Sequence, residues 1–277
     1  MQQLDMEGLV TVLTKKTASE RKVANRLSLK DKIVLVLMRI KTYFTLEVLA
    51  WIFNIGKGTA SNTINEMLPI LHAHFSQFIT IPKEREAFGG WIPKAFGSNL
   101  RTYAVVSVDG FEQSIYVPSV KEIELTVFSG KKKYTTLTRL IAITLDCKCC
   151  FLSEAYPGSI ADAMLISFTE NKEFLKKFDE DEAILFDAGF IGVHNHCAGV
   201  KANLIVSKKP SAVEGEEEKE YENLIKSYRV RVENFIAKIR SFNGLSMQLR
   251  EKSLQRAKEV NNYMVTVAVG IINKYWM

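Results

Sequence analysis

Two short apolar runs, each halted by an aspartate with glycine close behind, constrain this chain more than any other feature. The first is TYAVVSV (102–108), which ends on Asp109-Gly110; the second is AILF (183–186), which ends on Asp187-Ala188-Gly189. Apolar runs of this length, bounded by turn-forming residues, read as buried strands. A third acid, Glu233, lies within YRVRVENFIAKIRSF (228–242), whose apolar spacing is helical. Each acid also has a plain reading. Aspartate before glycine is a common turn residue. Glu233 stands one helical turn from Arg229, the spacing of a surface ion pair worth little.

The segments around these acids divide the chain. Residues 1–26 read as a helix and then a polar linker. In LSLKDKIVLVLMRIKTYF (27–44), Ser28 is placed to cap a helix, with Asp31 three residues on as an imperfect capping box. Thr45 caps a short helix over LEVLAWIF. NIGK (54–57) reads as a turn, and Gly58-Thr59 opens a third helix, TASNTINEMLPIL. Three helices with a tight turn before the third make 27–80 a helix-turn-helix domain, with an ordinary helical bundle as the alternative. In that motif the third helix enters the DNA major groove. Its Lys57, Thr59, Ser61 and Asn62 are the candidate contacts, and the absence of arginine predicts weak, salt-dependent binding. Residues 81–100 read as a linker.

From 101 to 277 the pattern becomes mixed. YTTLTRLIAITLD and CCFLSEAY form a hairpin pair with a turn near Asp146. PGSIADAMLISFTENKEFLKKF is a turn leading into a helix, NLIVSKK is a further strand, and EGEEEKEYE (214–222) opens a helical region running to about residue 260. Acids at the front of that region and bases behind suit the helix dipole. The order β-β-β-α-β-(β)-α is that of an RNase-H-like α/β domain, so the expected fold is an RNase-H-like domain preceded by a small all-helical one.

Acids on two strands and a later helix can converge on two divalent cations, Mg2+ or Mn2+, which prefer carboxylate and water ligands. On this reading Asp109 bridges both ions, Asp187 completes one and Glu233 the other, and the pair drives in-line displacement at a phosphate. Lys131, Lys132 and Lys133 follow Ser129-Gly130 as a phosphate-facing loop or a solvated hairpin tip. Over 224–256 a basic stripe including Arg229 and Lys238 tracks a DNA backbone or is a solvated face. The net charge of +6 leans toward an anionic partner. No apolar run reaches the roughly 20 residues of a membrane span, and the first residues do not resemble a secretory signal. Cys147, Cys149 and Cys150 crowd one expected strand, with Cys197 apart. That is poor disulfide geometry, so reduced thiols fit better. A zinc site from Cys147, Cys150, His194, His196 and Cys197 is disfavoured, because strand alternation turns 147 and 150 to opposite faces.

VDGFEQ (108–113), FSGKKKYTTL (128–137), AYPGSIAD (155–162), LFDAGF (185–190) and RVRVENFIAKIRSF (229–242), in this order, resemble the DDE superfamily endonucleases of PIF/Harbinger type, relatives of which carry a THAP zinc finger. The helical stretch 27–71 is similar to the same family's helix-turn-helix. The resemblance implies Asp109, Asp187 and Glu233 as catalytic and metal-holding residues of a DNA endonuclease or transposase. It makes Asp162 a turn residue, or one behind the ligands, rather than a fourth ligand. It further implies DNA as partner, a nuclear location, and room for a homo-oligomer and a separate DNA-binding accessory protein. The alternative is a domesticated or decayed relative that binds DNA or protein and cuts nothing.

Overall fold

The computed structural model describes residues 7, 8, 10, 11, 27–85, 89–116 and 126–276. The helix and linker expected over 1–26 fall almost wholly outside these. Packing separates two compact units, one of residues 79–237 and one joining 1–78 to 238–277. Division by motif had kept 101–277 together; by packing, the C-terminal helices lie with the N-terminal ones.

In the helical unit, α1 spans Leu29–Thr42, α2 Leu46–Ile52 and α3 Lys57–Phe75. Ser28 and Asp31 form a complete capping box. The Ser28 hydroxyl accepts from the Asp31 N–H at 3.1 Å, and the Asp31 carboxylate accepts from the Ser28 N–H at 3.1 Å, satisfying two amides the first turn leaves open. Thr45 caps α2. The turn before α3 uses Asn54 at φ +51°, a conformation asparagine tolerates better than most residues. Gly56 caps α3, which starts one residue before the expected Gly58.

Residues 243–246 form a short helix, α7, and Leu254–Tyr275 form α8. α8 lies against α3 closely enough that a Cβ at Gly270 would sit 2.6 Å from the Phe75 carbonyl oxygen. Ile33, Val36 and Ile40 of α1, Met67, Leu71 and Phe75 of α3, and Met264, Ala268 and Ile272 of α8 are buried. The helix expected to run unbroken to about 260 ends instead at Arg240. Ser241–Ser253 interrupts it, so the basic residues after the break do not continue one helical stripe.

The other unit is a twisted sheet with helices on both faces. Its strands are β1 (Gly90–Pro93), β2 (Arg101–Tyr116), β3 (Phe128–Ser129), β4 (Tyr134–Thr144), β5 (Cys149–Leu152), β6 (Tyr156–Pro157), β7 (Glu182–Phe186) and β8 (Asn203–Val206). The order is β3-β4-β2-β7-β8, with β5 and β6 also on β4 and β1 on β2. β5, β4 and β2 are antiparallel neighbours, while β2, β7 and β8 run parallel. With α4 (Asp162–Leu165) and α5 (Thr169–Leu175) on one face and α6 (Gly215–Arg240) on the other, the fold is RNase-H-like.

Alternation along β7 explains both faces. Ile184 and Phe186 join Leu165, Phe174 and Phe190 on the α4–α5 side, whereas Ala183 and Leu185 meet Ile225 on the α6 side. Three local expectations need correction. β1 lies inside the stretch read as linker, and pairs with Arg101–Ala104 of β2. The helix after PGS is two short helices, broken at Ile166–Phe168. Cys147 occupies a turn at φ +67° rather than a strand, and all four cysteines are free. Among the described residues no helix is long and apolar enough to cross a membrane.

The approach of α8 to α3 yields a direct test. Alanine is favoured over glycine in a helix by ~1 kcal/mol, but a Cβ at residue 270 collides with backbone, and overpacking costs ~1–3 kcal/mol. Urea denaturation of Gly270→Ala is expected to show no gain in stability and a net loss of up to about 2 kcal/mol.

Candidate active site

The parallel register between β2 and β7 ends at Val108 opposite Phe186, so Asp109 and Asp187 are the next residue on each strand. There the strands part. β7 turns into a short 3-10 helix, Ala188–Phe190, while β2 continues against β4 as far as Ser114. Asp109 is therefore mid-strand rather than at a strand end, although it stands where its parallel neighbour leaves. Alternation turns both acids toward α6. Ser107, two residues before Asp109, donates to the Tyr228 carbonyl of α6 at 3.3 Å, and Leu185, two before Asp187, packs on the same side.

Arg229 follows Tyr228 on α6 and is 6% exposed. Its Nη2 lies 3.0 Å from Asp187 Oδ1 and 3.8 Å from Glu233 Oε1. Those two oxygens are thus no more than about 7 Å apart, a span suited to cations ~4 Å from one another. The Arg229 Nη1 reaches Ser207 Oγ at 3.5 Å, and its Nε has no partner. This is not the surface bridge the helical spacing suggested, nor part of an exposed basic stripe. Burial among acids makes the guanidinium a local counter-ion.

Asp109 carries the clearest electrostatic mark. Burial pushes its carboxyl up to about 6, helped by the nearby charges of Asp187 and Asp162; the Gly110 N–H, 2.7 Å from Oδ1, and Arg229 act against the shift. Asp162, the first residue of α4, comes in from the opposite face. A Cβ at Gly110 would lie 2.9 Å from its Oδ1, and one at Gly189 would lie 2.9 Å from its Oδ2. The glycines that follow the two strand aspartates leave the room this carboxylate fills. That adjacency was hidden in the sequence, where the same glycines read as turn residues.

The other candidates are spread over the chain. Lys131 Nζ is 3.5 Å from Asp162 Oδ2. Lys132 is half-buried, its N–H bound to Ser129 Oγ at 3.1 Å, and Lys133 is exposed at φ +65°. On α3, Lys57 is exposed and paired with Glu47, Thr59 and Asn62 are exposed, and Ser61 is half-buried. Lys238 is engaged by its own unit, donating to the Trp276 carbonyl at 3.3 Å. His194 and His196 lie in the 3-10 turn Val193–His196, the first of them exposed.

Among the described residues no three His, Cys, Asp or Glu side chains are gathered tightly enough to enclose one ion. Arg229 and Lys131 stand among the acids instead. The donor chemistry nonetheless fits magnesium or manganese: hard carboxylate oxygens, with the Asp109 carboxyl pushed up by burial and by the neighbouring Asp187 and Asp162.

A pH dependence follows. The native Asp109 keeps its proton between its ordinary value of 3.8 and about 6, while the unfolded chain releases it. Stability in chelator therefore falls as pH rises through that window, and the loss persists above it. Thermal or urea unfolding should show Asp109→Asn matching the wild type near pH 4 and exceeding it by about 1–3 kcal/mol above pH 6.

Residues 108–273 match the family of the DDE superfamily endonuclease, and residues 25–77 match the helix-turn-helix of DDE superfamily endonuclease. Among solved structures the chain is similar to a pre-cleavage Mos1 transpososome. Identity is 10%, coverage 80% of this chain and 81% of that chain, and the TM-score is 0.22. No curated protein matches the chain. The nuclease match spans more than half of the sequence and begins at the strand that bears Asp109, and on that ground the chain belongs to the DDE superfamily endonucleases.

Proposed function

We propose that this protein cuts or joins DNA phosphodiesters as a PIF/Harbinger-type transposase, with Asp109, Asp187 and Glu233 holding two divalent cations, Mg2+ or Mn2+. The observation that carries the reading is the end of the β2–β7 register. It sets Asp109 beside Asp187 on the face where Arg229 joins Asp187 to Glu233. The cations would supply Lewis-acid activation of the attacking oxygen and charge neutralisation at the leaving 3′ oxygen.

The protein's part is positioning and charge. Asp109 is on a strand held by β4 beyond the point where β7 departs. Arg229 fixes the separation of Asp187 and Glu233 and offsets their repulsion. Asp109 gives up its proton above about pH 6, so its cation-holding form dominates at neutral pH. A water or a 3′ hydroxyl attacks the phosphate directly, without a covalent protein intermediate. Lys131, Lys132 and Lys133 would neutralise DNA phosphates near the acids, while Lys57, Thr59, Ser61 and Asn62 on α3 would contact the major groove. Because α3 offers no arginine to read guanine, tight site selection would come from a homo-oligomer or a separate DNA-binding protein. Work on chromosomal DNA would place the protein in the nucleus.

Plasmid nicking with Mg2+ or Mn2+ is the test. The wild type should nick, and Asp109→Ala should fall by about 10²-fold or more, the scale of one lost electrostatic contact in the transition state. DNA binding without nicking in the wild type would instead mark a domesticated relative. A second measurement is independent of turnover. Millimolar Mn2+ should raise the melting temperature of the wild type over that in chelator by mass action, and Asp109→Asn should lose the increase.

A further inference from the structure

A cavity of about 490 Å3 opens between the irregular stretch 79–85 and residues of β5 and α5. We infer that it is a binding site for a small aromatic anion, whose rings lie against Phe151 and whose carboxylate or sulfonate meets Lys83 and Lys177. The cavity stands apart from the acids. Its floor residues Cys150 and Phe174 belong to the apolar layer on the α4–α5 side of the sheet, whereas Asp109 and Asp187 aim toward α6. Neither its shape nor its charges depend on the nuclease reading.

Three observations support it. The first is an aromatic floor. The rings of Phe151 and Phe174 stack with centroids 4.1 Å apart and planes 12° apart. Phe174 is buried and Phe151 half-buried, so the stack presents Phe151 to the cavity. Ile81, packed on the same core, forms a wall. Cys150 adds a neutral group to the floor: burial pushes its thiol up to about 12, and its Sγ donates to the Ala142 carbonyl at 3.5 Å. A further ring gains from such a surface beyond the area it buries, and the volume lies within the roughly 300–1,000 Å3 of small-ligand sites.

The second observation is the sign of the lining charge. Lys83, Arg85 and Lys177 line the cavity, and among the described residues no acid does. Over residues 79–237 acids outnumber Lys and Arg, so this one-sided lining departs from the balance of its own unit. Cations at the rim of an apolar floor favour an anion with an apolar body.

The third is which of these cations is already engaged. Arg85 Nε and Nη2 donate to Glu182 Oε1 and Oε2 at 2.5 and 2.8 Å, Asp179 lies 3.6 Å from Nη2, and the guanidinium sits 5.4 Å from the centre of the Phe178 ring. Arg85 is thereby a fixed part of the wall, its charge answered within the unit. Among the described residues no carboxylate pairs with the Lys83 or Lys177 ammonium. Both side chains are exposed. Their stems can lie along the apolar rings while the ammoniums stay at the rim, where they are open to an anionic group.

The experiment is fluorescence titration of the intact protein with anilinonaphthalene sulfonate, in chelator at low salt, beside its uncharged analogue phenylnaphthylamine. The proteins are wild type, Lys83→Met with Lys177→Met, Phe151→Leu, and a control pair, Lys201→Met with Lys226→Met, exposed lysines outside the cavity. Circular dichroism is the folding check. The wild type is expected to bind the sulfonate saturably, one per chain. Loss of Lys83 and Lys177 should weaken the sulfonate about fivefold, the scale of two exposed charge pairs, and should not weaken the uncharged analogue. Phe151→Leu should weaken the sulfonate about threefold, the scale of one aromatic contact. The control pair should change its affinity less than about twofold, because charges at a distance are screened.

A wild type that binds no sulfonate saturably overturns the inference. So does affinity unchanged by the loss of Lys83 and Lys177, or weakened equally for both dyes, since the cations would then select no anion. Equal weakening by the control pair marks general attraction to a basic surface and overturns it too. Affinity unchanged in Phe151→Leu places the dye elsewhere, with the same consequence. If Phe151→Leu fails the folding check, Phe151→Met, closer in volume, takes its place.

Discussion

The parallel pairing of β2 with β7 is the constraint on which the site depends. Both strands are buried on both faces, and their ladder stops at Val108 and Phe186 because β7 turns away while β4 carries β2 onward. The first residues beyond the ladder are both aspartates, and alternation aims both toward α6. A slip of one residue would send one acid to the opposite face. Apolar packing of Ile184 and Phe186 against one helical layer, and of Ala183 and Leu185 against the other, prevents the slip. The positions of the charges are thus enforced by the hydrophobic core.

Arg229 answers the electrostatic cost of that arrangement. Burying a cation is expensive unless it is paired, and Arg229 is paired with Asp187 and Glu233. The acids in turn would repel one another without it. The guanidinium and its carboxylates therefore form one unit, and Asp109 beside it is pushed up chiefly by its own burial, with Asp187 and Asp162 adding to the shift and Arg229 opposing it.

The strand acids and the helical acid were legible because each sits in a periodic pattern: apolar runs that stop at Asp109 and Asp187, and a helical repeat around Glu233. The helix-turn-helix was legible from its caps. Other features were not, because they are set by pairing between distant segments. Nothing local in GWIP shows that it will pair with Arg101–Ala104. The continuation of β2 past Asp109 is imposed by β4, since Gly110 and the polar residues after it make a poor strand alone. The family resemblance marks Asp162 as a turn residue or one behind the ligands, but its contacts were hidden for a related reason. Its neighbours in space, Gly110 and Gly189, are far from it in sequence, and a glycine after an aspartate is easily explained by a turn. The basic stripe was misleading because charge was counted without burial: Arg229 lies inside, and Lys238 is occupied by a carbonyl of its own unit.

The close contact of α8 with α3 bears on how the protein is made. α3 is synthesised early, but the helix that covers its apolar side comes from residues 254–275, after the whole sheet. Until then Leu71 and Phe75 lack the neighbours that bury them in the finished unit. A chain ended within residues 79–237 thus has N-terminal helices that are incomplete and apolar at the surface, the kind of species cells clear by chaperone and protease. The apolar side of α3 is thus completed only after the strands and helices of the other unit have been made.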